Sequence, residues 1–270
     1  METAGISLLF CVINKMTCHA EDIVLTLKGG INSQNHLTGV TWMTIGGIQK
    51  TSLIDFPNGL STVLFTRGCN FQCPYCHNSE LLMLDGETLN RDELMAELTR
   101  RAHLIDAIVF SGGECTLSDD LYDMVVQVRK MGYKVKVDTN GTNPEVLEKL
   151  FTGSLVDYVA MDIKAPPEKY NKVTGVPVDI AAVERSIALI KEHMADYEFR
   201  TTVCQELLSR DEIIDIAYWV KGSKRYVLQN FRDGQQVLAG KGMFHPYSEV
   251  FLKEVHNEIM QWFEEVVIRF

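Results

Sequence analysis

Arg67-Gly68-Cys69-Asn70-Phe71-Gln72-Cys73-Pro74-Tyr75-Cys76-His77-Asn78 carries three cysteines on one loop, in a C-x3-C-x2-C arrangement. Cubane iron–sulfur clusters usually take four thiolates. Cys69, Cys73 and Cys76 supply three, which leaves one iron of such a cluster open to another ligand. An open iron beside a reducible cluster can bind and cleave a sulfonium. The loop therefore predicts a 4Fe–4S cluster and radical chemistry with S-adenosyl-L-methionine (SAM) as co-substrate. A structural zinc site fits less well, because it wants four ligands, usually as two pairs. His77 directly follows Cys76 and could close a tetrahedron only with strain. A disulfide framework has no secretory context in this chain.

Outward from the loop, strand and helix signals alternate. Residues 61–66 form a β-rich run that delivers the cysteines. Asn90 with Glu93 reads as a capping box that opens a helix near Arg91. Residues 106–111 form an apolar strand ending in Gly112-Gly113-Glu114, and Leu121, Met124, Val125 and Val128 mark the next helix. Further strands are predicted at 134–137, 158–161, 198–203 and 226–229. Helices between them are marked by Asn143-Pro144, by Ile180, Val183, Ile187 and Ile190, and by the capping box Ser209/Glu212. Val255, Ile259, Trp262, Phe263 and Val266 predict a closing amphipathic helix packed on the side of the fold. Six β-then-α units imply parallel strands with right-handed crossovers. Six are too few for a closed eight-stranded barrel. The expected fold is α/β, a partial (β/α)6 open barrel with its mouth at the C-terminal strand ends.

The polar motifs share one property, that each sits where a strand ends. Gly112-Gly113-Glu114 follows the second strand, Asp138-Thr139-Asn140-Gly141 the third, and Asp162 with Lys164 the fourth. In a parallel barrel these ends converge on one face. Taken singly, a Gly-Gly pair or Asp-Thr-Asn-Gly is a turn sequence, and Asp162 with Lys164 a solvated ion pair worth little. Gathered behind a three-cysteine loop, they match the needs of SAM. A glycine pair permits close backbone approach, Glu114 suits an amino group, carboxylates and amides suit ribose hydroxyls, and Lys164 suits a carboxylate. Arg200 is a second candidate partner for that carboxylate, with a barrel-edge salt bridge as its plain alternative.

These stretches, together with Gly47 to Gly59, resemble the radical SAM proteins, and among them the glycyl-radical-enzyme activases. The similarity covers roughly residues 43–235 and extends to the activating proteins of anaerobic ribonucleoside-triphosphate reductases. The resemblance implies that Cys69, Cys73 and Cys76 hold the cluster. It implies that Gly112, Gly113 and Glu114 line the methionine end of SAM, and that Asp138, Asn140 and Lys164 lie near it. In related activases Asp138, Thr139 and Asp162 would also fall near a monovalent cation. The implied activity is reductive cleavage of SAM and generation of a glycyl radical on a partner enzyme. That partner is expected to be an anaerobic ribonucleotide reductase, with flavodoxin or ferredoxin as reductant. The family commonly has proline after Gly-Gly-Glu, where this chain has Cys115, which reads as a spare thiol, as does Cys204. The alternative reading is a small-molecule radical SAM enzyme of the 7-carboxy-7-deazaguanine synthase type. A non-catalytic iron–sulfur carrier is disfavoured by the open coordination position.

The 270 residues are 46 % hydrophobic and 23 % charged, enough apolar material for one large core. A net charge of −10 argues against a nucleic-acid backbone as partner. Seven cysteines without a regular framework suggest a cytoplasmic protein, and no apolar run is long enough to predict a membrane span. Residues 1–42 do not resemble the rest. They are expected to be an N-terminal extension, loosely ordered or upstream of a true start at Met43, with residues 43–270 as the radical SAM domain. Cys11 and Cys18 with His19 match no common ligand spacing and read as incidental.

Overall fold

The computed structural model describes residues 43–270. The expectations for residues 1–42, including Cys11, Cys18 and His19, lie outside the described residues. The rest folds around one twisted sheet of eight strands in the linear order β1 to β8. Strands β2 (Ser61–Thr66), β3 (Ala107–Gly112), β4 (Lys134–Thr139), β5 (Tyr158–Asp162), β6 (Tyr197–Val203) and β7 (Arg225–Asn230) are the six read from the sequence. All six run parallel. Helices α1 (Arg91–Arg101), α2 (Leu121–Lys130), α3 (Pro144–Thr152), α4 (Tyr170–Thr174), α5 (Ile180–His193) and α6 (Arg210–Trp219) fill the connections. The six-unit open barrel is thus present, extended by one strand at each edge.

The first extension is β1 (Ile45–Ser52), which pairs antiparallel with β2. The second corrects the expected closing helix. Helix α7 (Glu249–Ile259) stops at Ile259, a 3-10 turn covers Met260–Trp262, and Glu265–Arg269 form β8, parallel to β7. Val266 lies opposite Tyr226, and the Phe263 ring stacks on Tyr226 with centroids 5.1 Å apart. Docking on the free edge of β7 therefore overrides the helical spacing of the apolar residues.

Alternation along the strands divides the core. Leu64, Ile108, Phe110, Val135, Val137, Val159 and Met161 face outward and join the helices in one large cluster. Val63, Ala107, Val109, Tyr158 and Ala160 face inward with Phe56 and form a small inner cluster. Above it the inner face turns polar, through Lys136, Asp138, Asp162, Glu198 and Arg200, and this layer is the floor of the site. Local signals set the helix starts. Ser209 and Glu212 form the reciprocal capping box at α6, and the Asn90 side chain accepts from the N–H of Asp92 and Glu93 at α1.

Candidate active site

A cavity of about 580 Å³ opens at the C-terminal strand ends. All nine residues singled out as site residues line it: Cys69, Cys73, Cys76, Gly112, Gly113, Glu114, Asp138, Asn140 and Lys164. None of the three loop cysteines is in a disulfide.

The cysteine loop has no helix or strand, yet it is tied down along its length by backbone and side-chain hydrogen bonds. Gly68 accepts from Glu114 N–H (2.8 Å) and donates to Leu81 C=O (2.8 Å). Asn70 donates to Thr142 Oγ1 (2.9 Å) and accepts from Asn140 Nδ2 (2.8 Å). Gln72 N–H donates to Thr174 C=O at 2.8 Å. The carbonyls of Pro74 and Cys76 accept from Ala239 and Leu238 at 2.9 and 3.0 Å. Such pre-positioning removes part of the entropy cost of closing ligands around a cluster. Burial pushes the Cys69 thiol up to about 11, with the Phe71 N–H working against it. Burial also raises Cys73, with Lys164 opposing.

The glycine pair has a reason that the sequence reading did not contain. Gly112 has φ +110°, and a Cβ there would stand 2.5 Å from the Thr66 nitrogen. A Cβ on Gly113 would stand 2.1 Å from the Gly68 carbonyl oxygen. Both glycines let the root of the cysteine loop lie against β3.

Glu114 also differs from expectation. It is 1 % exposed, and its carboxylate already accepts from the Thr116 N–H and hydroxyl, the Thr139 hydroxyl and the Asn140 N–H. Whatever its part toward an amino group, the side chain fixes the 139–140 turn. Burial raises its pKa, and these donors restrain the rise. Asn140 is likewise engaged with Asn70 and Thr142. Cys115 is fully buried, with Sγ 3.4 Å from the Asp138 carbonyl, behind the cavity wall.

Across the floor, Arg200 bridges two carboxylates. Its Nε donates to Asp162 Oδ1 at 2.8 Å and NH1 reaches Asp138 Oδ2 at 3.4 Å. Lys136 Nζ meets the other Asp138 oxygen at 3.3 Å, and Lys164 Nζ meets Asp162 Oδ2 at 3.1 Å. Burial works to raise both aspartates. Arg200 and Lys136 outweigh it at Asp138, Arg200 and Lys164 at Asp162, so both lie below the ordinary carboxylate range. Arg200 thus makes the salt bridges weighed for it, in the barrel interior rather than at its edge, and also lines the cavity. The remaining wall, Ser111, Thr202, Gln229, Asn230, Arg232, Asp233 and Gln236, was not read from the sequence. For Gln229 and Asn230, their place at a strand end was an available signal.

A family model for the radical SAM superfamily matches residues 63–220. The chain belongs to the radical SAM superfamily. A Methanocaldococcus jannaschii protein provisionally named a glycyl-radical enzyme activating enzyme is 33 % identical over 230 residues, 83 % of this chain and 95 % of that protein. The pyruvate formate-lyase-activating enzyme of Clostridium pasteurianum is 33 % identical over 138 residues, covering 48 % of this chain and 57 % of that enzyme. The fold resembles SuiB of Streptococcus suis, solved with its precursor peptide SuiA, at a TM-score of 0.58 and 12 % identity. That match covers 74 % of this radical SAM chain and 46 % of SuiB.

This radical SAM enzyme uses the family's 4Fe–4S cluster and SAM. The donor set fits them: three unpaired thiols on one immobilised loop face a wall of carboxylate, amide and ammonium groups. Among the described residues no helix is long and apolar enough to cross a membrane.

Proposed function

We propose that this radical SAM enzyme is an activase that generates a glycyl radical on a partner protein, with anaerobic ribonucleoside-triphosphate reductase the first candidate. The observation that carries this reading is the match to the archaeal relative over 95 % of that protein's length. The cavity is consistent with it, since one space unites the three thiols with Lys164 and opens at the strand ends. Cys69, Cys73 and Cys76 would hold the cluster. Bound there and reduced by flavodoxin or ferredoxin, the cluster would supply the electron for reductive cleavage of SAM, and with it the power to abstract a hydrogen atom from the partner's glycine α-carbon.

The chain's own residues bind and orient. Lys164, held by Asp162, offers its remaining N–H donors to the SAM carboxylate. The Asp138 and Asp162 carboxylates, which line the cavity, are kept ionised and held in place by Arg200. Glu114 keeps the 139–140 turn and the cysteine loop in register.

The test uses reconstituted enzyme, SAM and anaerobic ribonucleotide reductase deuterated at its glycine α-carbons. Deuterium in 5′-deoxyadenosine and a glycyl signal in electron paramagnetic resonance are expected, one abstraction per cleavage. Label arriving from a deazapurine precursor, and from no glycyl radical protein, would replace this reading with the small-molecule one.

A further inference from the structure

The second wall of the cavity belongs to the segment 231–247, which runs from β7 to α7 without helix or strand. It is a fixed strap rather than a loose flap. Its Leu238 and Ala239 N–H groups donate to the cysteine loop, and Ser79 Oγ donates to the Gln236 carbonyl at 2.7 Å. Phe231 and Phe244 are buried beneath it, and the Phe231 ring lies 5.3 Å from that of His77.

Three cations line the cavity, and they are not equivalent. Lys164 and Arg200 are ion-paired within the protein. Arg232, on the strap, has no ion pair or side-chain hydrogen bond among the described residues. Its neighbour Asp233 is occupied in closing the strap's own turns, accepting from the N–H of Gly234 and Gly242. An unengaged guanidinium lining a cavity is matched to carbonyl or carboxylate oxygens, which it can take two at a time. The same cavity is lined by two amides, Gln229 and Gln236, each able to donate and accept. The strap contributes no aromatic ring to the lining; the cavity's aromatic residues, Phe71, Tyr75 and His77, all belong to the cysteine loop. That set complements the bare N–H and C=O groups of an extended peptide better than the rings of a heterocycle.

We infer that the strap is the substrate-reading wall, with Arg232 the residue that receives the backbone or acidic oxygens of the partner's glycine-bearing loop. This rests on the activase reading above. The glycine loop enters between the strap and the co-substrate, so Arg232 sets affinity for the partner and not for SAM.

The experiment compares wild type with Arg232→Ala and Arg232→Lys, all cluster-reconstituted. Equilibrium SAM binding is measured, together with KM and kcat for glycyl radical formation on anaerobic ribonucleotide reductase. Arg232→Ala should raise the partner KM about tenfold or more, with SAM affinity within twofold of wild type. Arg232→Lys should recover only part of the loss, since a point charge lacks the fork. An equal fall in SAM affinity would assign Arg232 to the co-substrate instead, and an unchanged partner KM would remove it from recognition. Wild-type enzyme that radicalises no partner would overturn the activase reading and this one together. Wild type that does so, with an unaffected Arg232→Ala, would overturn this one alone.

Discussion

Lys164 and Glu114 look alike in the sequence, each a charged residue just past a strand end, yet their surroundings assign them different work. Among the described residues Lys164 Nζ has one hydrogen-bond partner, Asp162, and a lysine carries three donors. Lys164→Ala should leave the cluster spectrum intact and weaken SAM binding roughly tenfold to a hundredfold, the loss of a contact worth about 1.5–3 kcal/mol. Glu114→Ala should behave otherwise. It orphans buried donors on Thr116, Thr139 and Asn140, and should cost about 2–4 kcal/mol of stability in urea unfolding. Full stability of Glu114→Ala with a selective SAM defect would restore the role that the sequence alone suggested.

Asp162 gives a pH-dependent prediction. Its folded pKa lies below the ordinary value, because Arg200 and Lys164 outweigh burial. A depressed carboxylate stabilises the fold above its unfolded pKa, and that contribution fades as pH falls through the folded one. Asp162→Asn should therefore melt well below wild type at pH 7, and the gap should close as both are acidified below about pH 4. A gap that is constant between pH 7 and pH 3 would show that the pairing adds nothing.

At the scale of elements, the cysteine loop and the three strand-end motifs behind it were legible because their chemistry is local. So were the helix starts at Asn90 and Ser209, where short side chains meet free N–H groups. Strand β1 was not, since Gly46-Gly47 and the polar Gln49-Lys50 hide the pattern of a half-covered edge. The expected helix through Val266 failed because apolar spacing over a few residues serves either period, and the edge of β7 decided. The strap was invisible for a different reason: its ties to the cysteine loop are main-chain hydrogen bonds, which leave no side-chain signature. The glycine pair was legible as a motif but not in its cause. Gly113→Ala should push the Gly68 carbonyl, and with it the cysteine loop, away from β3. Iron and sulfide per chain should fall steeply while far-ultraviolet circular dichroism stays near wild type. Normal cluster content in that variant would mean the contact relaxes at little cost.

Across the described residues the sheet stays open, with β1 and β8 at its edges, and the polar inner floor lies beneath the cavity at the strand ends. The cavity's two walls come from distant parts of the chain, since Ser79, just past the cysteine loop, and its acceptor Gln236 on the strap are 157 residues apart. That distance has a consequence for the order of assembly. Contacts between such remote segments form late, after the local units have closed. The cysteine loop therefore reaches its tied-down shape only after β7 and the strap have been made and folded. Cluster insertion is then a closing step of maturation, not one that can proceed on a nascent chain. In refolding with iron and sulfide, cluster absorbance should rise together with amide-exchange protection at Leu238 and Ala239, after the amides of β3 to β5 are protected. A cluster that forms ahead of those two amides would show that the loop can find its shape without the strap.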